Sequence, residues 1–218
     1  MIDIVHEIES AQRDVGEGSV PAGVGRAVTL RRDYDAPIDD VWDAVTNPER
    51  IGRWFLPISG DYRVGGRYQL EGNAGGQILE CNRPNQLKVT WVYGPVTSDA
   101  DISEVVVRLT SVDAGTTRLL LQHTAVVPED RWAEYGPGAV GVGWDQCVLG
   151  LGLYLSGSAD LPERDAIEAW QTSDVGREFA RRSSERWAEA SIAAGTVPAD
   201  AQAAAARTTD FFTGEPAA

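Results

Sequence analysis

His123 is the side chain best suited to chemistry near neutral pH, because an unperturbed imidazole changes charge there. It ends a run in which Leu119, Leu121 and His123 occupy alternate positions, so it faces the same way as the leucines. An inward imidazole could hold a ligand or act as an acid or base. It could equally be a satisfied core or rim histidine. Glu80 and Glu104 fall on the outward phase of their strands and make poor partners for it. The only other histidine is His6, and the two cysteines, Cys81 and Cys147, have no neighbour at metal-ligand spacing. No metal site and no cofactor are expected. Both cysteines read as buried small hydrophobes in a reducing compartment.

Other reaction signatures are missing. Ser156-Gly157-Ser158 lacks the flanking pattern of a nucleophile elbow. The glycine-rich stretch Gly72 to Gly76 lacks the Lys-Ser/Thr that would hold a nucleotide, and reads as a hairpin loop. Asp39, Asp40 and Glu49 sit where helices begin, a position that favours carboxylates.

The elements that would position these residues follow from periodicity. Ile2, Ile4, His6 and Ile8 alternate as in a strand, with a helix carrying Ile4 and Ile8 as the competitor. Gly16 to Gly25 reads as a linker, and Ala27 to Tyr34 as a strand. Pro37 opens one short helix with Val41, Trp42 and Val45 on a face; Asn47-Pro48-Glu49 opens a second with Ile51, Trp54 and Phe55. From Asp61 to Val126 the pattern is a series of strands: Tyr68 and Leu70; Leu79 and Cys81; Leu87, Val89, Trp91 and Tyr93; Val105, Val107 and Leu109; Leu119, Leu121 and His123. One apolar face per strand implies an antiparallel sheet with a cover. Trp144, Val148, Leu151 and Leu155 recur at helical steps and supply that cover. Beyond it, Arg164 to Trp170, a helix capped by Ser173, and an alanine-rich helix from Pro198 to Phe212 form a helical extension too poor in large apolar residues to fold alone. The expected organisation is an N-terminal arm (1–26), a core domain (27–157) and a helical hairpin (158–218) packed on the core.

Composition narrows the partners. The 218 residues carry a formal net charge of -14, which disfavours nucleic acid and anionic lipid. No stretch approaches a membrane span and no signal-peptide pattern opens the chain, so a cytoplasmic location is expected. The chain is expected as a monomer or homodimer.

The run from Tyr34 to Phe55, with Ala36-Pro37, Trp42, Asn47-Pro48-Glu49 and Trp54-Phe55, resembles the opening of the activator-of-Hsp90-ATPase-like proteins of the START/Bet v 1 superfamily. Gly65-Gly66-Arg67-Tyr68, Pro84 to Leu87 with Trp91, Gly115 to Leu119 with His123, and Gly143-Trp144 match later signatures in the same order. The resemblance spans about residues 27–156 and implies an α+β helix-grip fold: a curved antiparallel sheet around a long helix. The Hsp90 activators proper have a further domain with an Asn-Asn-Trp-His-Trp string, which does not occur here.

In such a fold the sheet curls too strongly for the helix to fill its concave face, and a cavity of roughly a few hundred Å³ is expected. Alternation assigns Tyr68, Leu70, Trp91, Tyr93, Val105, Val107, Leu121 and His123 to its walls. Trp54 and Phe55 gate one end, and Trp144, Val148 and Leu151 form the roof. Three readings follow. The first is non-enzymatic binding of a small hydrophobic or aromatic molecule. The second is a protein-interaction module, possible in a chaperone context, for which Val92, Val106 and Leu120 on the outer face offer an apolar patch unless the terminal segments cover it. The third is a cyclase or hydrolase-like enzyme using His123, which needs a second polar group beside it.

Overall fold

The strand around Val28 and Leu30 is one arm of a long hairpin. In the computed structural model, which describes residues 2–162 and 166–214, strand β1 (Ala11–Val20) runs antiparallel to β2 (Gly23–Tyr34). Their register extends from Ala11 opposite Arg32 to Val20 opposite Gly23. The segment Gly16 to Gly25, read as a linker, is therefore strand and tight turn. The opening residues form helix α1 (Ile4–Glu9), not a strand, with the Asp3 carboxylate accepting from the His6 amide at 3.1 Å. Of its isoleucines only Ile8 is fully buried.

Helices α2 (Ile38–Thr46) and α3 (Pro48–Trp54) follow as expected, the second capped by Asn47, whose side chain accepts from the Glu49 amide at 3.0 Å. Arg50 ties them together: its guanidinium donates to Asp40 at 2.7 Å, to Asp43 at 3.1 Å and to the Tyr154 hydroxyl at 3.0 Å. The sheet then continues through β3 (Ile58–Gly60), β4 (Arg67–Leu70), β5 (Gly75–Asn82), β6 (Gln86–Val92), β7 (Ile102–Ser111) and β8 (Thr117–Ala125). All eight strands form one antiparallel sheet in the order β1-β2-β8-β7-β6-β5-β4-β3. The first hairpin thus pairs with the last strand, which curls the sheet around its concave face.

A short helix the sequence reading did not separate, α4 (Glu129–Tyr135), leads into the long helix α5 (Gly138–Leu155). Two glycines in α5 mark close approaches. A Cβ on Gly141 would overlap the Trp187 indole, and one on Gly150 would lie 2.8 Å from the Trp54 carbonyl oxygen. The helix gives up propensity at these points and gains contact with its neighbours.

The C-terminal extension comprises α6 (Ile167–Thr172), α7 (Asp174–Ala193) and α8 (Pro198–Thr213). Residues 164 and 165, where a short helix was expected to begin, lie outside the described residues. Ser173 caps α7 as expected, accepting from the Gly176 amide at 3.2 Å, and Gly214 closes α8 at φ 71°. Helix α7 packs on α5 and β1, and α8 packs on α7 and α4.

A buried ion pair fastens these layers. Asp145 of α5 is 1% exposed and Arg13 of β1 is 4% exposed. Arg13 grips both carboxylate oxygens, Nε to Oδ2 at 3.0 Å and Nη2 to Oδ1 at 2.9 Å. From α7, the Ser183 hydroxyl and the Trp187 indole N–H, the latter at 3.0 Å, also donate to Asp145 Oδ2. Arm, long helix and extension therefore meet at one carboxylate. The outer-face residues Val92, Val106 and Leu120 remain half-buried. The extension docks on the helix side of the sheet and does not cover them. Lys88 stands opposite Val106, and Arg31 and Arg108 stand opposite Leu120, which breaks up the apolar patch.

Candidate functional site

Between α5 and the concave face lies a cavity of about 180 Å³. Expected residues Tyr68, Leu70, Trp91, Val105, Val107 and Leu121 line its sheet side. Trp144, Val148 and Leu151 line its helix side, and Trp54 and Phe55 line one end with rings stacked at 5.7 Å. Trp91 and Trp144 touch, with centroids 4.9 Å apart, and the void persists beside them. It is smaller than expected because both indoles crowd into it.

Four polar groups on the wall are already bound within the protein. The Tyr68 hydroxyl donates to the Thr90 carbonyl at 2.8 Å, and the Tyr62 hydroxyl to the Ile58 carbonyl at 2.9 Å. Thr46 donates to Trp42 O at 2.7 Å, and the Trp54 indole to Ala44 O at 3.0 Å. Burial raises the Tyr68 pKa, which keeps the phenol neutral. The cavity therefore offers ring faces, methyl groups and two thiols, and no free charge.

Two expected wall residues are placed elsewhere. Tyr93 lies past the end of β6, at a loop that begins Gly94-Pro95, and is 69% exposed. Its alternation phase ends with the strand. His123 does face inward and is 7% exposed, but the Trp144 indole packs on its edge, with centroids 5.7 Å apart, and it is not a wall of the cavity. Trp144 Nε1–H donates to His123 Nδ1 at 3.1 Å. An indole nitrogen only donates, so Nδ1 carries the lone pair and Nε2 the hydrogen. That hydrogen meets Ser103 Oγ at 2.8 Å, and the Ser103 hydroxyl donates to the Trp91 carbonyl at 2.6 Å. A second polar group is thus beside His123, but with the wrong polarity: Nε2 cannot accept the serine proton. Burial lowers the imidazole pKa to about 4, so it is neutral at pH 7. The chain Trp144–His123–Ser103–Trp91 fixes the Trp144 indole and ties it to the Trp91 backbone.

The family described as activator of Hsp90 ATPase homolog 1-like protein matches residues 35–156, more than half of the chain. The chain belongs to this family. Family membership and the eight-stranded sheet around α5 together give the α+β helix-grip fold of the START/Bet v 1 type. The crystal structure of CalU16 from Micromonospora echinospora is similar at 34% identity and TM-score 0.65, covering 86% of this chain and 99% of that one. Its solution structure gives 37% identity, TM-score 0.67, and coverage of 85% and 97%. This likeness extends well beyond residues 35–156 and reaches into the helical extension. A protein from Mesorhizobium loti, MLL2253, is similar at 25% identity and TM-score 0.53, covering 61% of this chain and 98% of that one. No curated protein matches the chain.

Relative to the family core, several wall residues escaped the sequence reading. Ile51, Ile58, Ile78, Leu87, Val89, Leu119 and Cys147 line the cavity, as does Cys81. Cys81 was expected to be buried but is exposed. Its place on the cavity wall follows from a β-bulge: Ile78 pairs with Val89 and Cys81 with Leu87, leaving Leu79 as the extra residue. Ile78 and Cys81 therefore share a face, not Leu79 and Cys81. Among the described residues there is no cluster of His, Cys, Asp or Glu able to hold a metal, and no helix long and apolar enough to cross a membrane.

Proposed function

We propose that this family member binds a small apolar or aromatic molecule in the cavity beneath α5 and performs no chemistry on it. The observation that carries the reading is the wall itself: an apolar hollow beneath α5 whose Tyr68, Tyr62, Thr46 and Trp54 polar atoms are all engaged internally. Such a site recognises shape and ring faces rather than charge. An apolar cavity of about 150 Å³ admits benzene, so about 180 Å³ suits one or two fused rings.

A protein-docking role has weaker support, because cations interrupt the outer apolar positions at Val106 and Leu120. A His123-dependent enzyme is disfavoured by the occupied imidazole nitrogens.

The test is a thermal-shift and tryptophan-fluorescence titration with naphthalene and indole. Saturating guest at about a hundred times Kd stabilises the fold by about 2.7 kcal/mol, and the Trp91 and Trp144 emission changes with it. Flat melting curves and unchanged emission with both compounds would falsify the reading.

A further inference from the structure

Two residues on the wall of the main cavity also face water. Tyr62 is 45% exposed and Cys81 is exposed, and among the described wall residues no other is. Cross-strand register shows how the space reaches them. Cys81 of β5 stands opposite Leu87 of β6, Leu87 opposite Val107 of β7, and Val107 opposite Leu121 of β8. This row of wall residues grades from buried Leu121 through half-buried Val107 and Leu87 to exposed Cys81. The next row, Ile78, Val89 and Val105, is buried along its length, as are Trp144, Val148 and Leu151 on α5. At the α3 end the stacked Trp54 and Phe55 rings stand across the space, and the Trp54 indole is fixed to the Ala44 carbonyl at 3.0 Å. The segment carrying Tyr62 runs beside β5, because the Ile78 backbone bonds to Gly65 at 2.8 Å and to Gly66 at 2.9 Å. Tyr62 and Cys81 therefore frame a mouth at one side of the sheet, and the far side of the cavity is blind.

We infer that the ligand is an amphiphile larger than the cavity: its apolar ring end enters between Tyr62 and Cys81, and an uncharged hydrophilic body stays in water outside that mouth. This rests on the reading of the main cavity as a ligand site and adds the orientation and the size of the guest. A blind space of about 180 Å³ with an open side holds the end of a molecule of any length, provided that only one end is apolar. The polar part cannot follow, because the wall groups that could bond to it are already engaged. The charges flanking the mouth do not select a charged body. Asp61 pairs with Arg63 at 2.7 Å, Arg83 with Asp39 at 3.3 Å, and Glu80 accepts from the Gln86 amide at 2.6 Å. The net charge of -14 further disfavours an anionic one.

The experiment titrates the full chain with naphthalene, with naphthalene carrying one ethylene-glycol oligomer far larger than the cavity, and with naphthalene carrying such an oligomer at both ends. The single-tailed probe is expected to bind within about threefold of naphthalene, since its tail never leaves water and is only loosely ordered. The double-tailed probe is expected to bind more than about tenfold more weakly, since one tail must be buried without hydrogen-bond partners. If the single-tailed probe is weakened as much as the double-tailed one, or the double-tailed one binds as well as the single-tailed, the one-mouthed amphiphile site is overturned while the main-cavity reading stands. If naphthalene itself fails to bind, both fall. A last probe places the mouth: naphthalene on a short ethylene-glycol tail ending in a chloroacetamide. The Cys81 thiolate displaces chloride and forms a thioether, at least about tenfold faster than with chloroacetamide alone, because the bound ring holds the electrophile beside it. Excess naphthalene is expected to remove the advantage. Equal rates for the two reagents, or alkylation of Cys147 instead, as read by mass spectrometry, would also overturn the inference.

Discussion

Trp144 donates its indole N–H to Nδ1 of His123 at 3.1 Å, and this bond is made only to the neutral ring. Protonating the imidazole places two N–H groups face to face in a buried site. The pKa is accordingly lowered to about 4 by desolvation, against an ordinary value of 6.5. Between those values the unfolded chain holds a proton that the folded chain does not, so stability rises with pH through this window. It is fully present above about pH 6.5 and is lost as pH falls toward 4. The loss is on the order of 3 kcal/mol. Urea unfolding at pH 7 and pH 4.5 measures it, and His123→Gln is expected to flatten the slope over that interval. A native protein whose midpoint is the same at both pH values contradicts this account of His123.

The same histidine shows how far the sequence could be read. Period-two alternation placed His123 inward correctly, because β8 is regular from Thr117 to Ala125. It could not show that Trp144, twenty-one residues later on α5, would stand between the imidazole and the cavity. Other misreadings share this character. The bulge at Leu79 reverses the phase of Cys81, and no residue type announces it. Strand β1 hides behind Gly16 and Gly18, since its pairing is with β2 and its cover is α7, more than 150 residues further along. Helix α1 is too short for periodicity to separate it from a strand. What was legible was whatever a regular element decides alone. What was not legible depended on contacts between distant elements.

Asp145 is the clearest such contact. Asp145→Asn leaves the Arg13 guanidinium buried without a counter-charge and weakens the bonds from Ser183 and Trp187. The expected cost is about 3–5 kcal/mol in urea unfolding. Replacing both partners, Arg13→Met with Asp145→Leu, is expected to recover part of it, because no lone charge then remains buried. A double variant less stable than Asp145→Asn would show that the pair's charge is not the cause.

Gly141 and Gly143 lie two residues apart on α5 and are expected to respond oppositely to alanine. A Cβ at Gly141 overlaps the Trp187 indole, so the α7 contact is pushed off, at about 1–3 kcal/mol. At Gly143 nothing lies within 4 Å, and alanine gains up to about 1 kcal/mol of helix propensity. Thermal melts of the two variants decide this. Equal shifts would mean that α7 does not rest on the helix backbone at Gly141.

Filling the void separates binding from folding. Val107 lies on the cavity wall and is only partly buried, so Val107→Phe can direct its ring into the free space. Naphthalene affinity is expected to fall by more than about tenfold with a stability change under about 1.5 kcal/mol, the cost of a tolerated core swap. Isothermal titration and a melt on the same sample measure both. Undiminished affinity in a folded variant would place the guest elsewhere.

The two cysteines share the cavity wall but differ in reactivity. Cys81 is exposed, whereas burial, with the Asp145 carboxylate adding to it, pushes the Cys147 thiol up to about 12. Thiolate is the nucleophile, so at pH 8 Cys147 is almost wholly in the inert form. A disulfide-forming reagent is expected to modify Cys81 within the folded protein and Cys147 only after denaturation. Because Cys81 reaches the cavity from the bulge of β5, a bound guest is expected to slow its labelling as well, and the concentration for half-protection then reports the Kd directly. Mass spectrometry of tryptic peptides resolves the two sites. Rapid labelling of Cys147 in the native protein would mean that water and reagent reach the helix side of the cavity as freely as they reach Cys81, and the apolar binding site would have to be given up.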